Sequence, residues 1–360
     1  MTHALSLARR GLGAVWPNPA VGCVVIKDGR VVGRGWTQPG GRPHAETMAL
    51  AQAGQAAEGA TVYVTLEPCS HHGKTPPCAE ALIEARVARV VVALGDPDPR
   101  VNGQGIARLR SAKIQVDEGI CAAEARADHI GFLSSVTKGR PFVTLKLASS
   151  LDGRIATASG ESKWITGSGA RRLVHAQRMR HDAVLVGAGT VRADDPSLNV
   201  RGMGAAHQPT RIVMSRHLDL PLSSQLASTA MDSPVWILHG EGANPDLVSA
   251  WERLGATLIS VPVVAGQLDA TSALQALGKA GLTRVFVEGG AALAASLVSA
   301  DVVDEFIGFT AGIIIGAEGR PALAAMGLDH LASAPRYELV ETAQIGADIL
   351  HRWRRTDRQS

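Results

Sequence analysis

Apolar and polar positions follow two different periods along the first 136 residues, and the periods alternate. Residues 3–10 carry apolar side chains at helical spacing and predict a short helix. Residues 21–27 (VGCVVIK) predict a strand and residues 31–36 its return. Asp28-Gly29 between them is a hairpin turn, because both positions tolerate positive φ. Helices over 44–53 (HAETMALAQA) and 78–85 alternate with strands over 61–65 (TVYVT) and 89–93 (RVVVA). Residues 106–111 and 114–116 repeat the alternation. Such a series predicts an α/β unit with a largely parallel sheet and helices on its faces. Thr137-Lys138-Gly139-Arg140-Pro141 is polar and ends in proline, and marks a boundary between domains 1–138 and 141–360. A second α/β series follows. Its strands are predicted at 142–147, 183–186, 210–213, 235–238, 257–261 and 284–287, and its helices at 168–180, 247–254, 273–280 and 291–298. Residues 351–360 (HRWRRTDRQS) are polar and expected to fray beyond one final strand.

Composition supports two packed cores. The 360 residues allow two domains at about 150 residues each. Hydrophobic residues at 46% and charged residues at 19% exclude a disordered chain. A net charge of +3 and 4% aromatics speak against nucleic-acid binding, which needs a basic face or stacking platforms. The apolar run 289–300 is closed by Glu288 and Asp301, well short of the roughly 20 residues of a membrane span. Arg9-Arg10 follow a short apolar stretch instead of preceding one, the wrong order for a secretory signal. The four cysteines therefore read as thiols or metal ligands, and the expected compartment is the cytosol.

Three segments carry the chemistry of the first half: His44-Ala45-Glu46, Glu67-Pro68-Cys69, and Cys78. One imidazole and two thiolates give a single tetrahedral zinc ion three protein ligands and leave a fourth position for an acidified water. A carboxylate beside that position can take a proton and return it to a leaving amine, and Glu46 is the candidate. His44 and Glu46, two apart, reach one cavity only from the first turn of a helix, pointing past its end. Gly40-Gly41-Arg42-Pro43 makes a helix start there plausible. By spacing alone a closed structural site is the alternative, with His71 or His72 as fourth ligand; Glu46 beside His44 favours catalysis. Cys23 and Cys121 read as inert thiols.

His-Ala-Glu, Pro-Cys and a second Cys together resemble the cytidine-deaminase-like superfamily, in which the glutamate shuttles protons and is no ligand. The longer gap between the cysteines departs from the usual two residues. The whole stretch Thr65-Leu66-Glu67-Pro68-Cys69-Ser70-His71-His72-Gly73-Lys74-Thr75-Pro76-Pro77-Cys78, however, closely resembles one branch, the RibD family of bifunctional riboflavin-biosynthesis proteins. Pro17-Asn18-Pro19-Ala20-Val21-Gly22 looks like that branch's substrate loop. The resemblance implies that Asn18, His71, Lys74 and Asp96 face the deaminase substrate. Without it, Asn18 reads as a turn residue and Lys74 as a solvated loop lysine.

The second half has two glycine-rich strand-to-helix turns, Val186-Gly187-Ala188-Gly189-Thr190 and Val287-Glu288-Gly289-Gly290-Ala291, suited to an anion at a helix start. Neither fits G-x-G-x-x-G, so no standard dinucleotide-binding unit is predicted. Lys146-Leu147-Ala148-Ser149-Ser150-Leu151-Asp152-Gly153-Arg154 resembles the opening of the family's dihydrofolate-reductase-like domain. Ser162-Lys163-Trp164-Ile165-Thr166 and Thr190-Val191-Arg192-Ala193-Asp194-Asp195-Pro196-Ser197-Leu198-Asn199-Val200-Arg201 continue the match. The resemblance implies an NADPH pocket from Ala148, Trp164, Thr190, Asp194 and Gly290-Ala291-Ala292-Leu293-Ala294-Ala295-Ser296. It also implies a substrate site from Lys146, Ser162, Arg178, Leu198, Arg201 and Glu288, with Arg178 and Arg201 suited to a phosphate. One position departs: Ser215 stands where relatives commonly have aspartate, which bears on cofactor contacts at Ser215 and Arg216.

The implied function is two reactions in one chain. The first is zinc-dependent deamination of a diaminopyrimidine ribosylamine phosphate, and the second is NADPH-dependent reduction of its ribosyl group to ribityl. The partners are this small molecule and a second copy of the chain, in a homodimer or homotetramer paired through the reductase domain, with no nucleic acid and no membrane. The rival readings are a nucleic-acid deaminase with an appended binding domain and a non-catalytic zinc scaffold.

Overall fold

The computed structural model describes residues 1–71, 76–205 and 207–356. The chain divides into two compact units, Met1–Arg140 and Pro141–Ser360. Elements of the first are α1 (Thr2–Ala8), β1 (Gly22–Lys27), β2 (Arg30–Trp36), α2 (Ala45–Ala53), β3 (Thr61–Val64), α3 (Cys78–Glu84), β4 (Arg89–Val92), α4 (Gln104–Ser111), β5 (Gln115–Glu118) and α5 (Ala122–Lys138). Their sheet runs β2-β1-β3-β4-β5. β3, β4 and β5 are parallel, but β1 is antiparallel to both neighbours, so the sheet is mixed, where the sequence suggests a largely parallel one. The Asp28-Gly29 turn, with φ of 49° and 72°, folds β2 back. The crossover through α2 then passes β1, so β3 runs with β2 but pairs with β1.

Paired residues share a face of a sheet, and this sorts the packing. Val24, Ile26 and Trp36 pack with Ala4 and Leu7 of α1, whereas Cys23, Val25, Val62 and Val64 pack with Ala45 and Ala49 of α2. Gly33 and Gly35 lie under α2, and a Cβ on either would collide with the carbonyl of Ala49 or Ala45. At these two positions of β2 the helix therefore sits directly on strand backbone. α5 absorbs Thr137 and Lys138, which read as linker in the sequence, and ends at Gly139 in the left-handed conformation, φ 66°.

The second unit contains β6 (Phe142–Ser150), β7 (Arg154–Ala156), α6 (Ser168–Met179), β8 (Ala183–Gly187), α7 (Ala188–Asp194), β9 (Thr210–Met214), α8 (Gln225–Ser228), β10 (Val235–Gly240), α9 (Pro245–Arg253), β11 (Thr257–Val261), β12 (Val263–Val264), β13 (Gln267–Leu268), α10 (Ala270–Lys279), β14 (Arg284–Val287), α11 (Ala291–Ser299), β15 (Glu305–Ala311), β16 (Arg320–Pro321), β17 (Tyr337–Ile345) and β18 (Asp348–Arg355). Nine strands form one sheet, β11-β10-β9-β8-β14-β6-β15-β18-β17. It is parallel from β11 to β15 and antiparallel at β18 and β17. The final strand expected at the chain's end is β18, which reaches Arg355 and lies between β15 and the edge strand β17. Val184, Val213, Ile237 and Trp251 fill one core, and Phe286, Ile307, Phe309 and Leu350 another. The buried Asp182 carboxylate accepts bonds from Thr283 N–H (2.6 Å), Thr283 O–H (2.8 Å) and Arg284 N–H (2.9 Å), locking the starts of β8 and β14 together.

Candidate active sites

His44 caps the N-terminus of α2 with extended backbone (φ −71°, ψ 160°), so its ring leaves the helix past its end. Glu46, in the first turn, is buried. Cys78 opens α3, and its backbone N–H donates to Cys69 Sγ at 3.3 Å. His44 Nδ1 lies 3.3 Å from Cys78 Sγ and 3.7 Å from Cys69 Sγ. The ligating atoms of His44, Cys69 and Cys78 lie within 4.8 Å of one another, the one such cluster among the described residues. One nitrogen and two sulfurs at that spacing fit a zinc ion with one position left over.

The electrostatics are those of a site that handles protons. A hydrogen bond from Cys78 and a second with His44 bring the Cys69 thiol down to about 4, against burial. Cys78 is pushed well up by its bond to Cys69 and by burial. Burial first, and the Cys69 thiolate second, raise the Glu46 carboxyl to about 7. His71 does not join the donor cluster, and its Nδ1 is buried without a partner. His72 and Lys74 lie outside the described residues.

Two of the predicted substrate residues lie on loops tied to the segments that carry the ligands. Asn18 is half-buried and touches Gly41, whose φ of +83° and lack of Cβ allow the contact. Asp96 is buried, and burial lifts its carboxyl to about 6. Its Oδ1 accepts the Asp98 N–H at 2.9 Å. The buried Glu67 carboxylate takes four backbone donors: Asp96 (3.3 Å) and Gly103 (3.0 Å) of the same loop on Oε2, and Gly105 (3.0 Å) and Ile106 (3.3 Å) of the first turn of α4 on Oε1.

In the second unit a cavity of about 910 Å³ opens beyond the carboxyl ends of β8, β9 and β14, between the starts of α7 and α11. That is the crevice in which open α/β sheets take ligands. Thr190, Asp194, Gly290, Ala291, Ala292, Leu293, Ala295 and Ser296 line it, and Ser162 does too. Ala294 faces the core, fully buried. Ala148 packs beside Phe309 and Leu350, and Trp164, 69% exposed, stacks on the Arg171 guanidinium at 4.5 Å; neither lines the cavity. A bare α11 start at Gly290, facing Thr190 Oγ1, suits the phosphates of a dinucleotide.

A second group of predicted residues gathers at the end of β14. Arg178 Nε and Nη2 clamp the Glu288 carboxylate at 2.5 and 3.0 Å, and Nη1 bonds the Asn199 carbonyl at 2.8 Å. Burial would raise Glu288, but Arg178 and Lys146 outweigh it and hold the carboxyl below its ordinary range. Burial and Arg178 lower Lys146, against the pull of Glu288. The Arg201 guanidinium is exposed, and its backbone N–H bonds His175 Nδ1 at 3.2 Å. Leu198, at φ +56°, buries its side chain in the core, so only its backbone is available to a ligand.

A family model described as the RibD C-terminal domain matches residues 141–351, and one for the zinc-binding region of cytidine and deoxycytidylate deaminases matches residues 1–94. The riboflavin biosynthesis protein RibD of Escherichia coli (strain K12) is 42% identical over 359 residues, covering 97% of this chain and 96% of its own length. That of Aquifex aeolicus is 39% identical over 97% and 96% of the two chains. The chain belongs to the RibD family. Solved RibD structures agree: one from Acinetobacter baumannii superposes with a TM-score of 0.88 at 40% identity, covering 99% of this chain and 98% of that one. The Thermotoga maritima structure described as a diaminohydroxyphosphoribosylaminopyrimidine deaminase/5-amino-6-(5-phosphoribosylamino)uracil reductase gives 0.86 at 36%, covering 99% and 97%. The fold is that of the RibD proteins, a deaminase-like α/β unit followed by a reductase α/β unit.

Sequence reasoning about the RibD pattern passed over several residues. Glu67 counted only as part of a motif, although an acid set in apolar sequence needs buried donors. His175 lies one turn before Arg178 on α6, a spacing that puts both on one face. At the departure from the RibD pattern, Ser215 lines the cavity and donates to Asp219 Oδ1 at 3.1 Å. Arg216 also lines it and bonds the Gly266 carbonyl.

Proposed function

We propose that the first unit deaminates 2,5-diamino-6-(5-phosphoribosylamino)pyrimidin-4-one and that the second reduces the ribosyl group of the product to ribityl, giving 5-amino-6-(5-phosphoribitylamino)uracil. The observation that carries this is the convergence of His44, Cys69 and Cys78 with the buried Glu46 beside them. Zinc on that trio would supply an acidified water, and NADPH in the 910 Å³ cavity would supply hydride. Glu46 takes a proton at its carboxylate and returns it to the leaving amine. Asn18, His71, Lys74 and Asp96 hold the pyrimidine and its ribosyl phosphate. In the second unit Arg178 fixes Glu288, and Lys146 with Glu288 orients the sugar. Arg201, free of the clamp that occupies Arg178, meets the phosphate. Ala148, Trp164, Thr190, Asp194 and the Gly290-to-Ser296 turn seat the cofactor. Domain limits of 1–138 and 141–360 fit this division of labour.

The chain works in the cytosol as a homodimer or homotetramer joined through the second unit. Its four cysteines are free thiols, and no helix among the described residues is long and apolar enough to cross a membrane. Exposed Leu339, Val340 and Ile349 on the outer hairpin support the pairing. One coupled assay tests the whole reading: zinc content, ammonia release and NADPH consumption for wild type, Glu46→Gln and Glu288→Ala. Glu46→Gln should keep zinc, release no ammonia and still oxidise NADPH when given the deaminated intermediate. Glu288→Ala should do the reverse. Loss of both activities in either variant contradicts two separate sites.

A further inference from the structure

The Glu67 carboxylate is buried and takes its bonds from main chain: each oxygen takes two amides, and all four come from the segment between Asp96 and Ile106. Further ties run alongside. Glu67 N–H donates to the Leu94 carbonyl at 2.9 Å, and Ser70 Oγ meets the Arg100 carbonyl at 3.5 Å. Gly105 lies so close that a Cβ would strike the Pro68 carbonyl. Glu67 stands two residues before the ligand Cys69, and the segment it grips begins with Asp96.

We infer that Glu67 is a positioning residue for deamination: it holds Asp96 at a fixed place relative to the metal ligands, and so sets how tightly the pyrimidine is held. The inference rests on the reading that Asp96 faces that substrate. Its physical basis is the count of donors. A carboxylate accepts at both oxygens, whereas an amide has one oxygen and an NH2 group that must point at two N–H donors. Glu67→Gln therefore breaks half of the grip at almost constant volume. Whichever way the amide turns, either the Asp96–Gly103 pair or the Gly105–Ile106 pair faces a donor.

The test measures deaminase KM and kcat, zinc per chain, and NADPH oxidation with the deaminated intermediate, on the full chain. Glu67→Gln should raise the deaminase KM about tenfold with kcat within about twofold, matching roughly one lost charged-acceptor contact. One zinc per chain and the reductase rate should be unchanged. Glu67→Asp keeps both acceptor oxygens on a shorter stem and should raise KM less. In an Asp96→Ala background, Glu67→Gln should add nothing further, because the effect passes through Asp96. An unchanged KM, loss of zinc, or full additivity with Asp96→Ala overturns the inference. If Glu67→Gln does not accumulate as folded protein, Glu67→Asp decides through the same KM and the same cycle. If Asp96→Ala itself leaves KM unchanged, the reading of Asp96 as a substrate contact fails instead.

Discussion

At the scale of single residues, both sites depend on carboxylates held by very different means. Glu46 is raised by burial beside a thiolate, so at neutral pH it exchanges protons readily. Glu46→Gln keeps the shape but not the exchange, and should lower the deamination rate by at least about a hundredfold, read as ammonia release. Glu288 is kept charged by a two-pronged arginine. Removing that arginine in Arg178→Ala leaves the half-buried carboxylate without its two-pronged partner and with Lys146 as its remaining positive neighbour, and should cost roughly 3 kcal/mol in unfolding free energy, together with the reductase activity. Chemistry made His44, Cys69, Cys78 and Glu46 legible in the sequence, since few residue types bind zinc or shuttle protons. Spacing did not reveal that Arg178 spends its donors on Glu288 and Asn199, because the partners lie 110 and 21 positions away. For the same reason both arginines read as phosphate ligands, although only Arg201 is exposed.

At the scale of elements, the strong periods were readable and the weak ones were not. The buried strands of β3, β4, β8 and β14 are nearly unbroken apolar runs. β17 is exposed along most of its length, so YELVETAQI carries no alternation that separates a core face from a solvent face. β1 opposes β2 because of the Asp28-Gly29 hairpin, which the sequence shows, but it opposes β3 because of the path of a crossover, which no local pattern encodes. Burial inside α6–sheet packing also makes a pH prediction. His181 Nδ1 bonds the Gln177 carbonyl at 2.7 Å and Nε2 meets Thr144 Oγ1 at 3.1 Å. Burial lowers its pKa to about 3. The unfolded chain takes up a proton there near pH 6.5, whereas the folded chain stays neutral down to about 3. This contribution is therefore fully present above pH 6.5 and is lost as pH falls toward 3, at up to about 1.4 kcal/mol per pH unit. His181→Gln should narrow the gap in unfolding free energy between pH 7 and pH 5 by about 2 kcal/mol, read from the thermal or urea transition of the second unit.

At the scale of the whole chain, each unit has its own sheet, core and candidate site. Chelation should accordingly abolish ammonia release while NADPH oxidation with the deaminated intermediate continues, and added zinc should restore the first activity. Loss of both activities on chelation would mean that the second site needs the metal as well. The direct seating of α2 on strand backbone at Gly33 and Gly35 limits what an engineer can change. Over Gly33 and Gly35 the helix that carries Glu46, and that His44 caps, has no side chain beneath it to trim, so it can be repacked only on the side of Cys23, Val25, Val62 and Val64. With Asn18 and Asp96 as the proposed substrate contacts, a version of this deaminase made to accept a bulkier base would be remodelled first from their loops, leaving the contact at Gly33 and Gly35 untouched.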